Sequence, residues 1–526
     1  MTQLGIDNYK CKRVAIVLVL LLAFGLRIYD LGVRSLWFDE GMEYWVATSS
    51  VREMLQNVRD GIQDPPFYSF LLHLWMKLGR GEFYLRFLSV IFSFMSVVGT
   101  MLIGRKISGL STALIAGLIM TILPSQIRYA QEAGQYALMG CLLVWSLLVL
   151  QELLKGNNWY RYFLWVMLAI AATYSYYGAV ITVLVPYLVV LAKGVISKNW
   201  EHFQKRLLIL LVYIIGIIPL IFYFLPRQLF RGPTTEAFTI SPSSLVEELR
   251  IFWRSTQQLV AFQFTGWPWT HIPLWLSLLL VTLLLLFSIR ARETKVSRLS
   301  LWLLSSWIVY YIISKLGLFP YGFRYGLVLT PMLIPIVSHG LSGMFKIKCQ
   351  RIVGVLFLIS IIIICTVSFP YSTLRVRLYP EADWIWPEKE DLRSVVKYWL
   401  ENRSETEPTW VYYGAVPVFA YYLHLFGQDR SDLAPTWYIH CWWGDPSKHC
   451  RTENVYYGKW TRHLTRSEKI LAIQSVLPPN PETIWLVFSH IYHNEDVDIL
   501  SGLLEDYRLV RKFEQTNASV YLLEAR

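Results

Sequence analysis

Charge is scarce in this chain. Only 16% of its 526 residues are Asp, Glu, Lys or Arg, while 55% are hydrophobic and 15% aromatic. A soluble domain carries charge on roughly a quarter of its residues, so an ordinary soluble enzyme is excluded. The mean hydropathy is +0.40, and the apolar residues come in blocks, which marks a membrane protein. Acids are the rarer sign, 37 against 49 bases, for a net charge of +12. Much of the Lys and Arg sits in short clusters between apolar blocks, so membrane topology accounts for the excess better than a nucleic-acid groove. Cysteine is scarce as well, with six residues. No Walker-type loop and no dinucleotide glycine fingerprint occurs, so no nucleotide cofactor is expected. No small-residue cleavage site follows the first apolar run, which reads as an uncleaved membrane helix behind Lys10, Lys12 and Arg13.

A bilayer core takes about 20 apolar residues per helix. That rule predicts about eleven spans, near 14–31, 84–104, 110–126, 134–154, 160–176, 178–194, 207–225, 273–290, 300–316, 322–344 and 351–369, with up to 13 allowed. Alternate connections carry Arg105/Lys106, Lys155/Arg161, Lys193 to Arg206, Arg290 to Arg298 and Lys346 to Arg351. They share a side with the N-terminus, the cytoplasmic side by the positive-inside rule. The other side then receives 32–83, 127–133, the larger loop 226–272 and everything after 370.

The predicted fold class is a polytopic α-helical membrane domain, 1–370, followed by an extracytoplasmic α/β domain, 371–526. In the first outer loop, Tyr44, Ala47, Val51, Met54, Leu55 and Val58 recur at helical spacing, which predicts one interfacial helix over 40–58. The apolar stretch from Pro65 to Leu78 is too short to span and predicts a second, with Asp64 as its N-cap. Beyond 370, strands are expected at 409–414, 484–488 and 518–523, and helices at 416–426 and 499–505. Cys441 and Cys450 lie in this outer region beside His440 and His449. An oxidising compartment favours a disulfide between them; a zinc site has weaker spacing support.

The chemistry centres on acids at the outer membrane surface. Asp39 and Glu40 follow the first span, and Glu132 lies in the next outer connection. Alone, the first two would serve as cap and first-turn acids of a helix. At an interface they could also take a proton from an attacking hydroxyl or amine, or hold a divalent cation. Arg86, Arg128 and Arg324 stand at outer helix ends. Each alone would be a snorkelling charge, but together they supply cationic donors for an anionic headgroup. His73 reads as a structural hydrogen-bonding residue, and the sequon Asn517-Ala518-Ser519 lies in an expected strand.

The order of motifs carries a resemblance. Trp37-Phe38-Asp39-Glu40, Asp64-Pro65-Pro66-Phe67-Tyr68, Leu72-His73-Leu74-Trp75, Leu85-Arg86-Phe87-Leu88-Ser89, Gly104-Arg105-Lys106 and Tyr129-Ala130-Gln131-Glu132-Ala133 follow one another over the first 140 residues or so. This resembles the GT-C membrane glycosyltransferases, in the bacterial branch of the protein O-mannosyltransferase and aminoarabinose transferase superfamily, glycosyltransferase family 39. The resemblance implies a polyprenyl-phosphate sugar donor, a bacterial inner membrane, and inverting transfer outside the cytoplasm to a protein, lipid or polysaccharide acceptor. It makes Asp39 the general base, with Glu40 assisting and Glu132 as a further catalytic acid. Arg86, Arg128, Arg324, Tyr325 and Asp64 become donor-binding residues. Two positions depart from the pattern. Asp64 stands where many relatives have a basic residue, and Gly134 where many have Arg. The first change adds negative charge, which a divalent metal (Mg or Mn) between Asp39 and Asp64 would offset. Three other readings compete, one of them a lipid-linked oligosaccharide polymerase or ligase that only donor identity would separate. A flippase of lipid-linked glycans needs charges near the bilayer midplane and inverted repeats; a non-catalytic envelope scaffold is indifferent to Asp39.

Overall fold

A computed structural model describes residues 2–60, 64–154, 158–196, 200–226, 294–320, 323–347, 350–367, 390–427, 451–452, 454–462, 464–492 and 494–526, with isolated positions between 246 and 259. Two compact units emerge. One comprises Met1–Tyr29, Val58–Tyr68 and Arg86–Ile385, the other Asp30–Asn57, Ser69–Leu85 and Trp386–Arg526.

In chain order the first helices are α1 (Thr2–Ile28), α2 (Phe38–Thr48), α3 (Val51–Arg59), α4 (Phe67–Trp75), α5 (Glu82–Ser108), α6 (Leu110–Ile122), α7 (Pro124–Ala130) and α8 (Gln135–Leu153). They continue as α9 (Trp159–Ser175), α10 (Ala179–Ile196), α11 (Trp200–Pro219), α12 (Thr294–Lys315), α13 (Thr330–Lys346) and α14 (Arg351–Val367). Among the described residues six helices are long and apolar enough to cross a membrane: Glu82–Ser108, Gln135–Leu153, Ala179–Ile196, Trp200–Phe224, Lys295–Lys315 and Arg324–Lys346. The pair α6 and α7 makes a seventh, bent by 61°. These seven coincide with seven expected spans. The run expected at 14–31 is the apolar part of α1, those at 160–176 and 351–369 fall on the 17-residue α9 and α14, and the one at 273–290 lies outside the described residues.

Within this unit the helices differ in depth. The apolar window of Arg324–Lys346 is 94% buried, against 33% for Trp200–Phe224 and Lys295–Lys315. The first is a core helix of the bundle. The other two turn Leu211, Ile215, Leu304 and Ile308 outward, as helices bathed in lipid do. Backbone polar groups in such a bundle need partners inside the protein, and the bend between α6 and α7 shows how one is found. Pro124 has no N–H to give the Met120 carbonyl four residues back. Arg27 of α1, fully buried, donates to that oxygen from Nη2 at 2.9 Å and to Thr121 O from Nη1 at 3.4 Å. Its Nε donates to Ser93 Oγ at 2.8 Å.

The second unit joins α2 to a sheet and its helices. These are α15 (Leu392–Asn402), β1 (Thr409–Val411), α16 (Val416–Leu425), β2 (Arg451–Thr452), β3 (Val455–Tyr457), α17 (Arg466–Gln474), β4 (Thr483–Ser489), α18 (Glu495–Leu503), β5 (Tyr507–Gln515) and β6 (Ala518–Ala525). The strand order is β2-β3-β1-β4-β6-β5. β1 runs parallel to β3 and β4, while β6 is antiparallel to β4 and β5. Leu486, Phe488, Leu523 and Ile499 build its core.

Local expectations need three corrections. The single helix expected over 40–58 is two, because Ser50 starts α3 with a capping box: its N–H donates to Glu53 Oε2 at 3.0 Å, and Glu53 N–H returns to Ser50 Oγ at 3.3 Å. Asp64 does not cap a helix beginning at Pro65; α4 starts at Phe67, and the Asp64 carboxylate accepts from Gln135 Nε2. Asn517 does not lie in a strand but in the two-residue turn between β5 and β6, with a left-handed φ of 49° that Asn tolerates.

Candidate active site

The first outer motif becomes the N-terminus of α2. Trp37 is extended, with φ −111° and ψ 175°, and the helix starts at the next residue. Its acids have different surroundings. Glu40 is fully buried, and its Oε2 accepts from the Trp37 N–H at 3.3 Å. Glu43 is buried and accepts from Ser69 Oγ at 2.5 Å. Asp39 alone of the three is partly open. It sits in the first turn of the helix. Gly41 makes the turn beside it possible, since a Cβ there would lie 2.8 Å from Val418 Cγ2 and 3.1 Å from the Pro417 carbonyl carbon.

Residues far along the chain gather around this turn within the same unit. The His490 imidazole stacks on Phe38, with centroids 4.9 Å apart and planes 11° from parallel. Its Nδ1 bonds Glu390 Oε1 at 2.7 Å, and Ser489 Oγ donates to the other carboxylate oxygen at 2.9 Å. Burial pushes the imidazole pKa down, but Glu390 beside it, and then Asp39, push harder the other way, so it lies above the ordinary histidine value. Tyr492 meets the imidazole edge-on at 4.9 Å, and the Arg462 guanidinium lies 3.2 Å over the Tyr492 ring. Behind them the buried Glu495 accepts from the Tyr413 hydroxyl at 2.7 Å and pairs with Lys469 at 3.0 Å. Sequence reasoning does not single out His490, Glu390 or Arg462. The one signal is Gly414, at the end of the strand run Tyr412-Tyr413-Gly414; a Cβ there would lie 2.6 Å from His490 O.

In the other unit the structure brings together Asp64, Gln135, Tyr136, Arg324 and Tyr325. Arg324 lies over the rings of Tyr136 and Tyr325, at 5.8 and 5.6 Å. Tyr136 touches Tyr129 and Tyr176, at 4.6 and 5.5 Å. Arg128 and Glu132 face each other one turn apart at 4.0 Å, with Glu132 buried. Arg86 is buried as well. Gln131, of the same motif, caps α1: its Nε2 donates to the carbonyls of Leu26 and Tyr29 at 3.2 and 2.8 Å, which otherwise end the helix unpaired. A crevice of about 10 Å³ beside Tyr129, Tyr136, Ser93 and Gln126 has room for a water and none for a sugar.

Among the described residues no three His, Cys, Asp or Glu side chains gather around one point, and Asp64 accepts from Gln135 Nε2. No step below runs through a metal. Cys441, Cys450, His440 and His449 lie outside the described residues.

Comparison with known proteins follows the same line. Residues 63–223 match the family described as dolichyl-phosphate-mannose-protein mannosyltransferase. Over that stretch the chain is similar to that family, and over its whole length its likeness to solved proteins is one of fold. Its fold is similar to that of ArnT from Cupriavidus metallidurans bound to undecaprenyl phosphate, with a TM-score of 0.52 and 13% identity over 96% of this chain and 97% of that one. It is similar as well to the archaeal oligosaccharyltransferase AglB from Archaeoglobus fulgidus, in complex with an inhibitory peptide and a dolichol-phosphate. There the TM-score is 0.50, with 12% identity over 98% of this chain and 74% of that one. No curated protein matches the chain. The family match runs from just before α4 through α11, and leaves out α1 to α3 and the second unit's sheet; beyond it the likeness is one of fold.

Proposed function

We propose that the protein transfers a sugar from a polyprenyl-phosphate carrier to an extracytoplasmic acceptor, with inversion, and that Asp39 is the base. The carrying observation is the fate of the three acids of α2. Glu40 and Glu43 are buried and hydrogen-bonded, while Asp39 stays partly open at a helix N-terminus. The Asp39 carboxylate takes the proton of the acceptor hydroxyl or amine as the acceptor atom bonds to the anomeric carbon. The bond from that carbon to the phosphate oxygen breaks, and its electron pair leaves on the lipid phosphate. A phosphate leaves well when cationic donors meet its charge. Arg324, Arg128 and Arg86, with Tyr325, are the donor-binding residues of this reading, and Glu132 supports Arg128. The acceptor arrives from the outer face of a bacterial inner membrane. Undecaprenyl phosphate and dolichol-phosphate in the two similar structures support the carrier class.

The test is transfer by purified protein in liposomes. It is given a panel of polyprenyl-phosphate sugars and an envelope extract, beside Asp39→Asn. Loss of a base costs roughly 100-fold or more in rate, so transfer should fall by at least that much in the variant. Equal rates would remove Asp39 from the base role. A lipid-linked glycan crossing the bilayer unchanged would replace the transferase with a flippase.

A further inference from the structure

We propose that His490, clamped by Glu390 and stacked on Phe38, is the positioning residue for Asp39, so that the sheet-bearing unit aims the catalytic carboxylate. The inference rests on the reading of Asp39 as base. Phe38 is the first residue of α2 and Asp39 the second, so whatever holds the Phe38 ring sets the direction in which the helix starts and where its first carboxylate points.

The hold on Phe38 is built, not incidental. Both oxygens of the buried Glu390 are engaged, one by His490 Nδ1 at 2.7 Å and one by Ser489 Oγ at 2.9 Å. The imidazole is thereby fixed in rotation, and its face is given to Phe38 at 4.9 Å. Trp37 and Tyr492 close its edges at 6.1 and 4.9 Å. The backbone is committed as well. His490 follows β4 in a left-handed turn with φ 52°, a region rare outside Gly, Asn, Asp and His. Its carbonyl lies where any side chain at position 414 would collide, 2.6 Å from a Cβ. A core that needed only to fill space beneath Phe38 would use an apolar side chain and avoid desolvating a carboxylate. Instead a hydrogen-bonded pair with one orientation is placed next to the acid that must be aimed. Misplacing a reacting group by about 1 Å costs on the order of 100-fold in rate.

The test uses the full-length protein in detergent, with two readouts. Hydrogen–deuterium exchange over residues 37–44 reports the hold on α2 without depending on any substrate. Transfer from a panel of undecaprenyl-phosphate hexoses reports the aim. His490→Gln keeps a partner for Glu390 and loses the ring; His490→Phe keeps the ring and loses the partner; Phe38→Leu removes the other face. Exchange over 37–44 should rise at least fivefold in His490→Gln and Phe38→Leu, with α13 unchanged. The kcat should fall 10-fold or more in all three, with KM for the donor within twofold. The double variant Phe38→Leu/His490→Gln should cost no more than either single one, because both cut one link. Wild-type exchange and kcat in His490→Gln would overturn the proposal, as would additive losses in the double variant or exchange rising equally in α13. A wild type inert toward every donor would fell the transferase reading, and the exchange data alone would then decide whether His490 holds α2.

Discussion

Replacing Arg27 by Met tests how the bent span between α6 and α7 is held. The substitution keeps length and apolar bulk and removes the guanidinium. It leaves Met120 O and Thr121 O, contacted at 2.9 and 3.4 Å, without those donors. Met120 O has no other claim on the backbone, because residue 124 is proline. A buried polar group stripped of its partner costs about 1–3 kcal/mol, and Met120 O, which Pro124 cannot serve, is the group that bears it. In a chain of this size that lowers the apparent midpoint of a thermal aggregation scan by several degrees. Pro124→Ala sharpens the test. In the Arg27→Met background alanine returns an N–H to Met120 O and should recover about 1–2 kcal/mol. Beside an intact Arg27, which already satisfies that oxygen, it should add less. A coupling of about 1 kcal/mol or more follows, read as a difference in midpoints by fluorescence-detected size exclusion. An Arg27→Met protein that aggregates at the wild-type temperature would refute the argument. So would a Pro124→Ala shift of equal size in both backgrounds.

Two further predictions concern the second unit. Lys469→Met strands the buried Glu495, whose carboxylate lies 3.0 Å from the amine, and should cost about 3–5 kcal/mol; adding Glu495→Gln should return part of it, seen in hydrogen exchange over β4 and α18. His490 also links stability to pH. Its folded pKa lies above the ordinary value, against the pull of burial, through Glu390 and Asp39. The charged form is therefore favoured by folding, so its contribution is complete below about pH 6.5 and is lost as pH rises through the folded value. Melts of wild type and His490→Gln between about pH 5.5 and about pH 8.5 should differ most at the acid end. A gap that widens toward alkaline pH would reverse the sign of the argument.

The order of motifs over residues 36–138 makes a family resemblance legible in the amino-acid sequence, because those residues are contiguous or repeat at helical spacing. Gln131 and Glu132 show the limit of that legibility. Both belong to one motif, yet Gln131 caps α1 through Leu26 and Tyr29 while Glu132 faces Arg128, and no spacing distinguishes a cap from a site acid. β5 escapes the sequence for a related reason. It is an edge strand with mostly exposed residues, Arg508, Arg511 and Lys512 among them, and its pattern of burial is too weak to announce a strand.

By itself the sequence determined the class: apolar blocks long enough for a bilayer, bases on alternate connections, and a small α/β region after them. These follow from transfer free energies and local periodicity, which act on neighbours in the chain. The tertiary structure alone decided which acid of α2 stays open and what stands behind it. Glu390 and His490 are 100 residues apart, and both lie more than 300 residues beyond Phe38. It also decided that Arg27 should serve a carbonyl 93 residues away. Such partnerships are set by where packed elements bring side chains together, and a buried polar group accepts whichever partner the fold delivers.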